Sequence, residues 1–137
     1  MITPKAAPTT ALEESIAYEW VTLRDCNICQ RCRRNCGPIA RDHRKNRSQG
    51  GSTTPANLQL LGLGCHQWKT EHPREAVAAG WAVPGWADPA EWPAARWVRT
   101  ERGTHALVWV LYLNGPDVQG RLWVRITDTE ANERMGN

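Results

Sequence analysis

Asp42-His43-Arg44-Lys45-Asn46-Arg47-Ser48-Gln49-Gly50-Gly51-Ser52-Thr53-Thr54-Pro55-Ala56-Asn57-Leu58-Gln59-Leu60-Leu61-Gly62-Leu63-Gly64-Cys65-His66 is the stretch on which the reading of this chain turns. Pro38 to Arg44 suits a short strand, and Ser48 to Pro55 is rich in the Ser, Gly, Thr and Pro that make turns. Asn57 to Leu63 is apolar enough for a second strand, and Cys65 to Glu71 fits a short helix. The expected order between Pro38 and Glu71 is therefore strand, turn, strand, helix. Neighbours in a strand point to opposite faces. Asp42 and His43 can thus serve two partners, one holding a metal and the other facing a substrate. Asn57 follows His43 by fourteen residues, and His66 follows Asn57 by nine, at the start of the helix. A carboxylate and an imidazole from different elements, with coordination positions left open, suit a divalent cation that works on phosphate.

On the N-terminal side, residues 1–9 are rich in Pro, Thr and Ala and read as a flexible start. Thr10-Ala11-Leu12-Glu13 has the form of a capping box, and Leu12, Ile16, Tyr18, Val21 and Leu23 predict an amphipathic helix ending near Arg24. From Arg24 to Arg47 eight basic residues face two acidic ones, a net +6 in a chain whose formal charge is +3. Such a block fits a polyanionic partner. Four of the five cysteines, Cys26, Cys29, Cys32 and Cys36, fall within eleven residues. MITPKAAPTTALEE lacks the apolar segment of a secretory leader, and the longest apolar run, Ala106 to Leu113, is too short to span a bilayer. The expected location is the cytoplasm, where clustered thiols point to metal before disulfides.

On the C-terminal side, Pro73 opens another helix, with His72 as its cap and Gly80 as its stop. Residues 81–104 read as a Trp- and Pro-rich strap laying Trp81, Trp86, Trp92 and Trp97 onto the domain, in a chain with eight Trp and no Phe. Residues 105–126 form a β-hairpin extension turning at Asn114-Gly115-Pro116-Asp117, and residues 127–137 read as a flexible tail.

Arg24-Asp25-Cys26-Asn27-Ile28-Cys29-Gln30-Arg31-Cys32, Asp42-His43-Arg44, Gly50-Gly51, Asn57-Leu58-Gln59-Leu60-Leu61 and Cys65-His66-Gln67-Trp68-Lys69 together resemble the HNH endonuclease family, most closely its small phage and actinobacterial versions. Gly80-Trp81-Ala82-Val83 and Asp88-Pro89 resemble the segment that trails the motif there. The resemblance runs over roughly residues 12–93 and leaves the hairpin unexplained. It implies an α+β chain: a small ββα-metal core at 10–80, with an N-terminal helix, a zinc knuckle and the hairpin added. It also implies roles. Asp42 and His66 would hold Mg²⁺ or Mn²⁺, His43 would be the general base that activates water, and Asn57 would brace the loop. DNA would be cut to a 5′-phosphate and a 3′-hydroxyl. Arg44, Lys45, Arg47 and Lys69 are candidate phosphate contacts.

Many relatives hold one structural zinc between two Cys-x-x-Cys knuckles. Cys29 and Cys32 match the first. The second needs positions 62 and 65, and position 62 is Gly62. Structural zinc prefers four ligands, so the expected set is Cys29, Cys32, Cys36 and Cys65, with Cys26 in place of Cys36 as the alternative and a zinc-free domain as the third reading. Where some relatives carry another metal-binding His this chain has Thr70, which leaves His72 as a cap or surface residue. Two other functions stay open: a non-catalytic zinc module that binds DNA or a phage packaging protein, and an interaction protein working through its Trp-rich surface. Two such nuclease sites could pair as a homodimer, with the 105–126 hairpin as a candidate interface.

Overall fold

The computed structural model describes residues 9–137. The flexible start expected at 1–9 lies outside the described residues, apart from Thr9, whose hydroxyl donates to Glu14 at 2.8 Å. Helix α1 spans Ala11–Arg24 and opens with the expected capping box: Thr10 accepts from the Glu13 amide, and the Glu13 carboxylate accepts from the Thr10 amide. Strand β1 (Ile39–His43) pairs antiparallel with β2 (Leu58–Gly62), setting Asp42 opposite Gln59 and His43 opposite Leu58. Helices α2 (Leu63–Glu71) and α3 (Pro73–Ala78) follow. Ala17 and Val21 of α1 pack on Leu58 and Leu60 of β2, so the long helix backs the hairpin. The expected α+β class and ββα order hold.

The C-terminal half departs from the sequence reading in two places. Residues 94–99, placed within the strap, form strand β3 (Ala94–Arg99), which pairs with β4 (His105–Tyr112), and β4 pairs with β5 (Trp123–Arg125). The expected hairpin is thus two strands of a three-stranded sheet. Residues 127–137 are no loose tail. Helix α4 (Asp128–Met135) is capped by the Thr127 hydroxyl, which accepts from the Glu130 amide. Its Ala131 is fully buried, and Met135 packs against the cluster of Val83, Ala87 and Trp92. Three of the four strap indoles donate to main-chain carbonyls: Trp81 to Ala95, Trp92 to Val77 and Trp97 to Arg31. Trp86 instead stays 66% exposed, edge-on to Trp92. No described helix is long and apolar enough to cross a membrane.

Two buried cation centres join the halves. Arg44 is 1% exposed and spends its guanidinium on five carbonyl oxygens: Nε on Gly80, Nη1 on Ala56 and Pro89, Nη2 on Trp92 and Pro93. Burial lowers its pKa to about 10, so the side chain still carries its charge at pH 7. Nearby, the Asp25 carboxylate accepts from Arg24, from Arg96 and from the Leu60 amide. The Tyr112 ring lies under Arg24 at 3.9 Å. A guanidinium has five N–H donors, so Arg44 matches one carbonyl to each. Arg44→Met would leave those carbonyls unpaired in the interior, and the expected cost is about 3 kcal/mol or more. Urea unfolding checks it. A midpoint equal to that of the wild type would mean that water reaches the carbonyls instead.

Candidate functional site

Strand β1 presents its last two residues to opposite sides. Asp42 turns inward, with its side chain 3% exposed. Its Oδ1 lies 2.9 Å from His66 Nδ1, on the first turn of α2. Its Oδ2 accepts from Lys69 Nζ at 2.7 Å and from Gln59 Nε2 at 2.9 Å. Gln59 gives its amide protons to Asp42 and to the Trp81 carbonyl, which leaves its own buried Oε1 without a partner. That orientation offers the carboxylate a donor at the expense of an acceptor. The inner oxygen is therefore closed by donors. The other oxygen meets His66, whose side chain is 50% exposed. One carboxylate oxygen and one imidazole nitrogen, converging under a half-exposed histidine, are the donor types that a hydrated divalent cation takes.

His43 faces the other side. Its Nε2 lies 3.0 Å from Thr53 Oγ1 and 3.3 Å from Arg47 Nε. Burial, followed by the nearby Arg47 guanidinium, holds the imidazole below the usual histidine range, which keeps it neutral at pH 7. The strand carbonyl of His43 accepts from Lys69 at 2.8 Å, so one ammonium ties the carboxylate of Asp42 to the backbone of His43.

The loop between the strands is held by Asn57, which is fully buried. Its Oδ1 accepts from the Lys45 amide, and its Nδ2 donates to the carbonyls of Lys45 and Ser52. Gly51 is what lets the loop close: a Cβ there would stand 1.8 Å from the Lys45 carbonyl oxygen.

The expected phosphate contacts divide. Arg44 and Lys45 are withdrawn, because both are buried; Lys45 Nζ donates to the Ala87 carbonyl at 3.1 Å. Lys69 belongs to the Asp42 site, with its side chain 10% exposed. Arg47 remains exposed beside His43. His72 stays outside the site: its ring stacks on Trp68 at 4.8 Å, and it supplies no side-chain cap to α3. The sequence reading missed Gln59 and Thr53. A lone polar residue in the apolar run Leu58 to Leu63 is a signal for Gln59; Thr53 has none.

A second cluster lies at the base of α2. The Sγ atoms of Cys29, Cys32, Cys36 and Cys65 lie within 4.8 Å of one another, while Cys26 is exposed and apart. Gly62 explains the choice of Cys36. A Cβ at position 62 would stand 2.3 Å from Cys36 Sγ, so Cys36 occupies the space that a side chain there would need. Burial pushes the Cys65 thiol up to about 12. Burial also opposes ionisation of Cys29, but backbone hydrogen bonds from Cys32, Gly62 and Arg31 outweigh it and bring that thiol down to about 7. Four converging thiols, one of them already eased towards thiolate, match the donor set of a tetrahedral metal site.

Residues 29–72, about a third of the chain, match the family model described as HNH endonuclease. The match begins at the first cluster cysteine and ends after α2, so it contains both strands, the loop between them and both residue clusters. No curated protein and no solved structure matches the chain.

The cysteine geometry makes a prediction for metal content. Purified protein should carry about one zinc per chain by mass spectrometry of the metal. Cys36→Ser and Gly62→Ala should both lose most of it, and Cys26→Ser should not. Loss in Cys26→Ser with retention in Cys36→Ser would reverse the assignment.

Proposed function

We propose that this protein is a metal-dependent endonuclease that hydrolyses phosphodiester bonds in DNA. One observation carries the reading: a single strand end offers Asp42 to His66 on one side and a neutral His43 on the other, inside a segment that matches the HNH endonuclease family. In this reading His43 Nε2 takes the proton from the attacking water, which a neutral imidazole can do near pH 7. Asn57 keeps the loop closed behind it. Asp42 and His66 would hold the cation, with Lys69 and Gln59 fixing the carboxylate from the inner side. When bound, Mg²⁺ or Mn²⁺ supplies positive charge for the phosphate oxygens and the departing 3′-oxygen. The four cysteines would hold a structural zinc that pins the start of α2 to the loop before β1 and takes no part in the chemistry.

The non-catalytic binding module is the weaker reading. Of the basic block on which it relies, Arg24, Arg44 and Lys45 are buried, and Arg31 stacks on Trp68 at 3.5 Å. Half of that charge is spent on structure.

Plasmid cleavage tests the proposal. The wild type should cut with Mg²⁺ or Mn²⁺ and stop with chelator. His43→Ala should lose about 10²–10⁴-fold in rate with its fold intact. Asp42→Asn should lose activity together with Mn²⁺ binding. Well-folded wild type that cuts no DNA with any metal would hand the case to the binding module.

A further inference from the structure

The proton-accepting nitrogen of His43 is already engaged in the free protein. Arg47 Nε stands 3.3 Å from His43 Nε2, and an arginine N–H can only donate. That hydrogen bond needs Nε2 unprotonated, and a neutral imidazole has one lone pair to give. The Thr53 hydroxyl, 3.0 Å away, competes for the same nitrogen. A base so occupied cannot take a proton from water until a donor leaves.

Thr53 is buried and accepts from Arg47 Nη2 at 3.1 Å; its hydroxyl proton can rotate off His43 Nε2, whereas the arginine N–H cannot. Arg47 is exposed, sits on a single 3-10 turn (Arg47–Gln49), and has one further hold, a 3.5 Å contact to the Tyr18 hydroxyl. It is the group that can move. Its planar fork matches a phosphate better than it matches a ring nitrogen. The surroundings favour an anion: Arg41, two residues before His43 on the same face of β1, is exposed and lies over the Tyr18 ring at 4.7 Å. The acid near His43 on α1, Glu14, is tied to the Thr9 hydroxyl.

We propose that Arg47 caps His43 in the free protein and passes to a substrate phosphate, so that the base is uncovered by a polynucleotide and not by an isolated phosphodiester. The inference rests on the reading of His43 as a general base and makes Arg47 a positioning residue with a say in substrate choice. Tyr18 and Arg41 mark the side from which the flanking phosphate arrives.

The test compares DNA with bis(p-nitrophenyl) phosphate, a diester with no flanking phosphate, in wild type, Arg47→Ala and Arg47→Lys. In Arg47→Ala, kcat/KM on DNA should fall about 10-fold or more, while kcat/KM on the small diester rises. Arg47→Lys keeps the charge but not the fork; it should raise the small-diester rate likewise and lose less on DNA. Nitrogen-15 spectra of the histidines read the cap directly. The His43 Nε2 signal should move towards that of a free imidazole nitrogen in Arg47→Ala, and the same way in wild type when a short duplex is added in chelator. A parallel loss on both substrates, or an Nε2 signal that neither change moves, overturns the proposal. A wild type that cleaves neither substrate sinks the nuclease reading instead, and the nitrogen spectra still decide whether the cap and its release exist.

Discussion

The structure depends on hiding positive charge without a matching negative one. Arg44 directly follows the Asp42-His43 pair, and every N–H of its guanidinium is met by a carbonyl, drawn from residues 56, 80, 89, 92 and 93, with the Tyr112 ring 5.2 Å away. Four of those five acceptors lie beyond the matched segment 29–72. The motif is therefore held from outside itself: the strap after α3 folds back to receive a charge that β1 delivers. Asp25 repeats the arrangement with a carboxylate, drawing Arg24 and Arg96 together from opposite ends of the chain. A core this small gains specificity from such groups, because each buried donor must find its own acceptor or the packing fails.

That scaffold explains how the site is aimed. Arg44 and Asn57 fix the chain immediately after His43: the Arg44 amide donates to the Asn57 carbonyl at 2.7 Å, and the Asn57 side chain holds Lys45. Lys69 reaches across from α2 to the strand end. Strand, loop and helix therefore reach the two histidines as one body, and the exposed parts left over are short: the outer edge of His66, and Arg47 beside His43. Rigid support with few mobile groups is what positioning by proximity requires.

Much of the site was legible in the sequence, because spacing carries geometry. Strand alternation separates Asp42 from His43, and the apolar run and the helix return His66 to the same end; hydrophobic period and turn residues were enough for that. The errors have a physical pattern. A buried cation satisfied by backbone carbonyls, as Arg44 and Lys45 are, looks in one dimension like an exposed one. Strand β3 was hidden in a segment dominated by Trp and Pro. Helix α4 is signalled only by Thr127 three residues before Glu130; what docks it is tertiary, with Ala131 buried, Met135 against Val83, Ala87 and Trp92, and Arg134 paired with Glu91. Thr53 and Tyr18 meet His43 and Arg47 only through tertiary contact, and no local pattern announces them.

The thiol cluster also bears on the order in which the protein assembles. In a two-plus-two knuckle the ligands meet only after the hairpin has formed. In this chain three of the four, Cys29, Cys32 and Cys36, lie within eight residues. Closing so short a loop costs little entropy and is fast beside the pairing of distant strands. Were the cluster to hold a metal, this segment would offer three of its ligands before the hairpin forms, with Cys65 left to complete the set as α2 docks. With its ligand at position 36 and not at 62, such a metal would help to begin the fold where a two-plus-two site would record a finished one.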